Sequence, residues 1–246
     1  MFAQTVKPSE VLLVQDGPLT DKLYTTIDLY KEKYSSIFKT LPLPHNLGLG
    51  LALRQGVRAC SNEYIARMDT DDYSMPTRIE EEFNAMFEKN VDMVGCIIDE
   101  FIGNPDNVVS HRMLPETHEQ IYHFAKKRTP IAHPSVLFKK SQLIKCGNYE
   151  DCYLAEDFAI FINLLRSGAK GYNIQKPLVY MRVSDNFYKR RGGMKYLKSM
   201  LAFNKKQLNI GWFSFQDFLI RSAMNCFVCL MPNAVRNFVY KKMLRK

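Results

Sequence analysis

One short apolar segment that ends in three carboxylates constrains this chain most. Residues 64–72 read Tyr-Ile-Ala-Arg-Met-Asp-Thr-Asp-Asp, and Asn62 precedes them. The apolar run with a β-branched residue predicts a short buried strand. Carboxylates so close together repel one another, so folding alone does not require Asp69, Asp71 and Asp72 here. A divalent cation such as Mg²⁺ or Mn²⁺ would relieve the repulsion, because oxygen ligands of this kind suit hard ions. The alternative is a solvated acidic turn before a helix that begins at Pro76.

An α/β layered domain is predicted around this segment. A buried strand over 10–17 ends in Asp16 and Gly17, and ligands of open α/β sheets lie outside the carboxyl ends of strands. Asp16 is therefore a candidate ligand contact, and a simple Asp-Gly turn is its alternative. Apolar spacing predicts a helix over 22–38, a second helix after the glycines of 46–52, and a third from Pro76. A further buried strand over 92–98 completes the α/β order.

The second half of the sequence holds several polar candidates. His133 could contact a ligand, although a histidine before a proline is commonly just a loop residue. Glu156 and Asp157 open an apolar helix, where acids stabilise the helix dipole and one of them could instead act as a general base. Arg190 and Arg191 lie in a glycine-flanked basic loop that could clamp phosphate oxygens, or simply start a solvated basic helix.

The charge of the chain is concentrated near its C-terminus. The net charge is +9, yet residues 187–246 hold 13 Lys and Arg and a single acid, Asp217. Such asymmetry suggests a polyanionic neighbour, either a membrane surface or nucleic acid. Base-stacking aromatic residues between the basic ones and known nucleic-acid motifs are not evident, so nucleic acid is not the expected partner.

The segment 212–246 is expected to lie on the cytoplasmic face of a membrane. Its apolar residues would meet the bilayer, and polar residues within it forbid spanning; the apolar set is Phe213, Phe215, Phe218, Leu219, Phe227, Val228, Leu230 and Met231. The alternative is a helix packed on the body of the protein. Without a secretory signal, an apolar run of 18 residues or paired zinc-type cysteines, the sequence predicts a reduced cytosolic protein.

Four motifs in order resemble the family 2 glycosyltransferases of the GT-A fold. They are Val14-Gln15-Asp16-Gly17, Asn46-x-Gly48-x-Gly50-x-Ala52-x-x-x-Gly56, the segment 64–72 and Ala155-Glu156-Asp157. His133-Pro134-Ser135 and the Arg190-Arg191-Gly192 loop resemble the amylovoran-type transferases that build bacterial exopolysaccharide, capsule and O-antigen. The similarity extends over about residues 1–210.

The resemblance implies a fold and a role for each candidate residue. The fold is α/β, with a mixed, mainly parallel sheet flanked by helices: a nucleotide-sugar-binding half over 1–100, an acceptor-binding and catalytic half over 101–210, and a basic helical tail over 211–246. Asp16, Arg67, Asp69, Arg190 and Arg191 would bind the nucleotide-sugar donor. Asp69 and Asp71, with Asp72 sharing the work, would hold Mg²⁺ or Mn²⁺ on the diphosphate. Asp157 would be the catalytic base, and Glu156 and His133 are weaker candidates for contacting the acceptor.

The predicted activity is inverting transfer of a sugar from a nucleoside-diphosphate donor to a glycan or lipid-linked acceptor. The family pattern places a strand upstream of Val11–Val14, whereas Met1 falls inside the helix that should follow that strand. An inactive remnant is therefore one alternative function, and a basic nucleic-acid-binding protein is another. If the strand matters, the chain should aggregate through an open sheet edge and bind nucleotide weakly.

Overall fold

The structure, a computed structural model, describes residues 1–184 and 192–231 as alternating strands and helices. The strands are β1 (Val11–Gln15), β2 (Phe38–Pro42), β3 (Tyr64–Ala66), β4 (Tyr73–Ser74), β5 (Met93–Phe101), β6 (Val108–Arg112), β7 (Leu137–Lys139) and β8 (Gly171–Arg182). The helices are α1 (Asp21–Lys33), α2 (Leu49–Ala59), α3 (Arg78–Glu88), α4 (His118–Phe124), α5 (Lys140–Lys145), α6 (Glu156–Arg166), α7 (Met194–Asn209) and α8 (Phe215–Leu230). A 3-10 turn spans His133–Ser135.

The described strands form two sheets. β1 and β2 pair in parallel as a two-stranded sheet, and the other six strands form a second sheet in the order β3-β7-β5-β8-β4, with β6 on β5. The two longest ladders, β1–β2 and β5–β8, are parallel. The shorter ladders β3–β7, β4–β8, β5–β6 and β5–β7 are antiparallel. The predicted mixed α/β fold is confirmed, and its parallel character comes from those two ladders.

The hydrophobic core lies between the larger sheet and helix α6. Every residue of β5 is buried, as a strand covered on both faces requires. Helix α6 buries residues on nearly all sides, among them Phe158, Phe161 and Leu164, so it is a core helix rather than a surface one. Because β3 and β4 share this sheet with β7 and β8, the predicted halves 1–100 and 101–210 are joined by one sheet.

The first five residues connect the two sheets. Phe2 stacks on Tyr34, just beyond α1, with ring centroids 3.8 Å apart. Two residues later, Gln4 is buried beside the first turn of α3, where its Oε1 accepts the Ile79 amide at 3.0 Å. This amide is one of the helix donors that lack a partner within the helix, so Gln4 caps α3 in place of Thr77, whose side chain makes no cap bond.

The predicted helix over 22–38 was wrong in its last five residues. Helix α1 ends at Lys33, and Phe38 begins β2, whose backbone pairs with Val11–Gln15. Helix-like spacing continues through Tyr34 and Ile37, but the hydrogen bonds that β1 offers in parallel pairing win over that local pattern. Among the described residues, β1 has no strand partner besides β2. The expected effect of an upstream strand stays a prediction.

Candidate functional site

The acidic segment leaves the sheet at the end of β3, as predicted. Arg67, the first residue after the strand, is only 8% exposed and makes a two-pronged ion pair with Asp69. Its Nη1 donates to Oδ2 at 2.8 Å and its Nη2 donates to Oδ1 at 2.5 Å. Such paired bonds fix the carboxylate in direction as well as in distance. Arg67 therefore orients Asp69, a role that differs from the direct donor contact expected from the sequence.

Asp72 faces inward rather than toward a ligand. Its Oδ1 accepts the backbone amide of Arg182 at 2.8 Å, which ties the acidic segment to the end of β8. Its Oδ2 is buried without a hydrogen-bond partner among the described residues. Burial, reinforced by the charges of Asp69 and Asp71, raises the pKa of Asp72 to about 7. This placement does not favour the metal-ligand role expected for Asp72.

The remaining carboxylates suit a metal that a substrate helps to hold. Asp71 is exposed, and the Asp69 side chain is 40% exposed beside its arginine. Across residues 1–184 and 192–231, no three His, Cys, Asp or Glu side chains converge as a metal-binding group. Mg²⁺ commonly binds through one or two carboxylates plus substrate phosphates, so the donor set fits a metal shared with a diphosphate and not a cage made by the protein alone.

A buried arginine holds the start of the acidic segment by a hydrogen bond. Arg78, fully buried in the first turn of α3, donates from Nη2 to the carbonyl oxygen of Arg67 at 2.9 Å. Its Nε donates to Oε1 of Glu82 at 2.8 Å, one turn along the helix. Breaking a buried ion pair leaves an uncompensated charge, which makes such pairs intolerant of single substitutions. Arg78 thus anchors the point at which the chain turns from strand to acidic segment.

The second acidic pair lies at the start of α6. Glu156 is buried, and burial, with the charge of Asp157, raises the pKa of Glu156 while the positive charge of Arg67 opposes the rise. Asp157 is half-buried, and its Oδ1 accepts the amide of Phe158 at 2.7 Å. Of the two acids, Asp157 is the one with access to solvent. The geometry therefore favours Asp157 over Glu156 as the group that meets a substrate.

Asp16 and the glycine motif organise the neighbouring loop. The carboxylate of Asp16 accepts the amides of Leu47 and Gly48, at 2.7 and 3.1 Å, just before α2 begins. Gly48 has φ +85°, a conformation that side chains disfavour. A Cβ on Gly50 would lie 2.5 Å from the carbonyl oxygen of Glu150 and 3.3 Å from Cβ of Glu156. The motif therefore lets α2 approach the acidic start of α6.

His133 is buried and lies close enough to Arg67 to feel its charge. Its ring is 6% exposed, and Nε2 lies 2.7 Å from the hydroxyl oxygen of Tyr149, which is also buried. Burial, together with the positive charges of Arg67 and Arg112, holds the pKa of His133 well below its usual value. Because the His133 imidazole is neutral, buried and already hydrogen-bonded to Tyr149, it has a structural role. The structure therefore does not favour the contact with the acceptor that the sequence predicted for His133.

The charge of Arg67 reaches four of the predicted residues, namely Asp69, Asp72, His133 and Glu156. This charge acts on Asp72, just before β4, and on Glu156 at the start of α6, so the two acidic groups lie in the field of one cation. Arg190 and Arg191 lie outside the described residues. Sequence reasoning missed three supporting residues, Arg78, Tyr149 and Arg182. The Arg78–Glu82 spacing of four on one helix was the single usable signal.

This chain belongs to glycosyl transferase family 2. The family profile matches residues 1–147, which include β1, the glycine motif and the acidic segment. The chain is therefore a glycosyltransferase, and the predicted resemblance is confirmed.

Similar proteins extend over nearly the whole sequence. A UDP-Gal:alpha-D-GlcNAc-diphosphoundecaprenol beta-1,3-galactosyltransferase of Escherichia coli is 35% identical over all of this chain and 89% of its own length. The amylovoran biosynthesis glycosyltransferase AmsE of Erwinia amylovora is 29% identical over 98% of this chain and 90% of its own length.

Two solved structures show the same fold at low identity. S. aureus TarS in complex with UDP-GlcNAc matches with a TM-score of 0.66 and 16% identity, over 97% of this chain and 72% of that one. The Pyrobaculum calidifontis mannosyltransferase PcManGT, in complex with GDP-Man and Mn²⁺, matches with a TM-score of 0.62 and 15% identity, over 98% of this chain and 67% of that one. The predicted GT-A fold is confirmed.

Proposed function

We propose that this glycosyltransferase transfers a sugar, with inversion, from a nucleoside-diphosphate sugar to a lipid-linked or glycan acceptor during synthesis of a bacterial surface polysaccharide. One observation carries the proposal. Arg67 pairs with Asp69 in the acidic segment after β3, and its charge also acts on Glu156 at the start of α6, so the exposed Asp71 and the half-buried Asp157 belong to two acidic groups near the same cation. We assign the first group to the leaving group and the second to the base. The diphosphoundecaprenol acceptor in the name of the E. coli relative supports the lipid-linked alternative.

Asp157 is the base in this proposal. An acceptor hydroxyl attacks the anomeric carbon, its proton passes to a carboxylate oxygen of Asp157, and the bond from that carbon to the diphosphate oxygen breaks. Attack from the face opposite the leaving group inverts the anomeric configuration. The bond from the Phe158 amide to Asp157 holds the carboxylate at the helix start and leaves its second oxygen for the proton.

Asp71 and Asp69 hold the diphosphate end of the donor in the same proposal. Mg²⁺ or Mn²⁺ bound there would offset the negative charge that grows on the leaving nucleoside diphosphate. Arg67 fixes the orientation of the Asp69 carboxylate. Asp16 holds the loop before α2 by hydrogen bonds, and this loop would border the nucleotide. The reaction is placed at the cytoplasmic face of the cell membrane, where nucleotide sugars and lipid-linked acceptors meet.

Two substitutions separate the two roles. Asp71→Asn should abolish metal-dependent donor binding. Asp157→Asn should lower turnover on the order of 10²–10⁴-fold and leave donor binding nearly intact, because the base acts only on the acceptor. Binding of UDP- and GDP-sugars with Mn²⁺, measured by calorimetry, and sugar transfer, measured by product analysis, provide the two readouts. Asp28→Asn, an exposed carboxylate on α1, is the matched control and should change neither.

The same assays decide among the alternatives. Equal loss of donor binding in Asp71→Asn and Asp157→Asn would refute the assignment of roles. Salt-sensitive binding of nucleic acid in place of nucleotide sugars would support a nucleic-acid-binding protein. Neither kind of binding would indicate an inactive remnant.

A further inference from the structure

Helix α8 contacts the body of the protein with one of its faces. Arg221 lies on that face: its Nη1 donates to the carbonyl oxygen of Lys127 at 2.5 Å, and its guanidinium lies 4.9 Å from the ring centre of Phe158 and 4.8 Å from that of Phe213. Cys229, two turns further, is 3% exposed. The helix is therefore seated in a defined orientation, and Phe213, expected at the membrane, belongs instead to the core with 2% exposure.

The opposite face of α8 is apolar and uncovered. Large apolar side chains with exposures from 50% to 69% follow one another along it, and we call them the α8 face: Phe215, Leu219, Ile220, Met224, Phe227 and Leu230. At about 100° per residue they occupy one continuous side of the helix. A surface helix normally turns such a side to the core. A contiguous exposed apolar patch of this kind marks a site for a protein partner or a membrane.

The basic charge of this part of the sequence distinguishes between those partners. Helix α7 packs along α8 and exposes Lys195, Lys198 and Lys205. Between residues 192 and 231 the single acid is Asp217, and its carboxylate is engaged in capping α8 with Ser214. Residues 232–246 add five basic residues and no acid to the sequence. A second copy of the chain on this face would bring like charges together, whereas an anionic lipid surface offers both apolar depth and opposite charge.

We propose that the α8 face docks on an anionic lipid bilayer, with α8 lying in the plane of the interface. The inference rests on the proposed function, since a lipid-linked acceptor would be presented at such a surface. Nothing in the described ranges 1–184 and 192–231 is a helix long and apolar enough to cross a bilayer. A helix that buries one apolar side at the headgroup boundary, supported by lysines, is the physical alternative to spanning.

Vesicle flotation of the full chain tests the proposal. The protein should float with vesicles containing phosphatidylglycerol at low salt, and much less with pure phosphatidylcholine or at high salt, since lipid charge is screened within a Debye length. The double variant Leu219→Gln, Phe227→Gln should bind phosphatidylglycerol vesicles at least roughly tenfold more weakly, because two exposed apolar anchors become polar. The matched control is Ile144→Gln, Phe87→Gln, with parent exposures of 50% and 62% against 50% and 69%.

The outcomes separate docking from the reaction itself. Loss of vesicle binding in the α8 variant alone, with donor binding unchanged, supports the proposal. Equal vesicle binding by the α8 variant and the control would overturn it. The proposal would also be overturned if the parent chain formed a stable dimer and did not bind vesicles, and the α8 variant were monomeric. The α8 face would then be a subunit interface. Vesicle binding without sugar transfer would leave docking supported and contradict the proposed function instead.

Discussion

At the scale of single residues, the site depends on which polar side chains turn inward. Asp69, Asp71 and Asp72 are nearly adjacent in sequence, yet Asp69 pairs with Arg67, Asp71 is exposed, and Asp72 bonds the backbone of Arg182. The repulsion that the sequence implies is therefore reduced by a cation, by solvent and by burial with a raised pKa. One of the three carboxylates is left fully available to a ligand.

His133 gives a prediction at this scale. Burial favours its neutral form, so the folded state binds fewer protons than the unfolded state below the unfolded pKa of about 6.5. Stability from this group is present above that pH and is lost as the pH falls below it. His133→Gln should destabilise the protein at pH 7.5, and the difference in unfolding free energy from the parent chain should shrink by about 1 kcal/mol between pH 7 and 5.5.

Urea unfolding across that pH range measures the difference directly. His45→Gln, which replaces an exposed histidine, is the matched control. A constant gap between the parent chain and His133→Gln would contradict a neutral, buried His133.

At the scale of elements, the start of α3 is held from outside the helix. Arg78 bonds the carbonyl of Arg67 from this turn, and Gln4 bonds the amide of Ile79. Gln4 also donates to the carbonyl of Met75 at 2.8 Å. The N-terminal segment therefore supports the same turn that positions the acidic segment.

Substitution of Gln4 tests this link. Gln4→Ala leaves the buried Ile79 amide without its partner and removes one of the donors to the Met75 carbonyl, which should lower the unfolding free energy by about 1–3 kcal/mol. Donor affinity should fall as well, since α3 and the acidic segment share the turn. Gln216→Ala, at an exposed position on α8, should change stability by less than about 0.5 kcal/mol. Identical unfolding midpoints for the two variants would refute the capping role of Gln4.

At the scale of the whole molecule, packing of α2 against α6 brings the glycine motif to the acidic start of α6. Gly50 allows that approach, and Arg67, which pairs with Asp69, also acts through its charge on Glu156. Because the acidic segment offers one exposed and one partly exposed carboxylate, metal binding should depend on the nucleotide.

Calorimetry of Mn²⁺ with and without nucleotide checks this dependence. The ion should bind at least roughly tenfold more tightly in the presence of UDP or GDP than in its absence, because phosphate oxygens complete the coordination that one or two carboxylates begin. Asp71→Asn should remove the nucleotide-dependent part of the binding. Equally tight Mn²⁺ binding without nucleotide would show that the protein supplies a complete site by itself.

The sequence by itself determined the order of the main strands and helices and the positions of the acidic motifs. Hydrophobic periodicity and acids near strand and helix ends are local features, and they placed Asp69 and Asp71 in the segment after a strand and Asp157 in the first turn of a helix, where the structure has them. Family resemblance supplied the fold and the class of enzyme, which the comparisons confirm. The roles of these acids stay predictions.

Tertiary structure alone decided which residues support the site and which face of α8 stays uncovered. Four contacts join residues that are distant in sequence, and local sequence patterns do not specify them. They are the pairing of β2 with β1, the hydrogen bond from the Arg182 amide to Asp72, the contact of His133 with Tyr149 and the hydrogen bond from Arg78 to the Arg67 carbonyl. A buried polar group left without a hydrogen bond costs about 1–3 kcal/mol, so these long-range contacts override local preference and become visible only when the chain is folded.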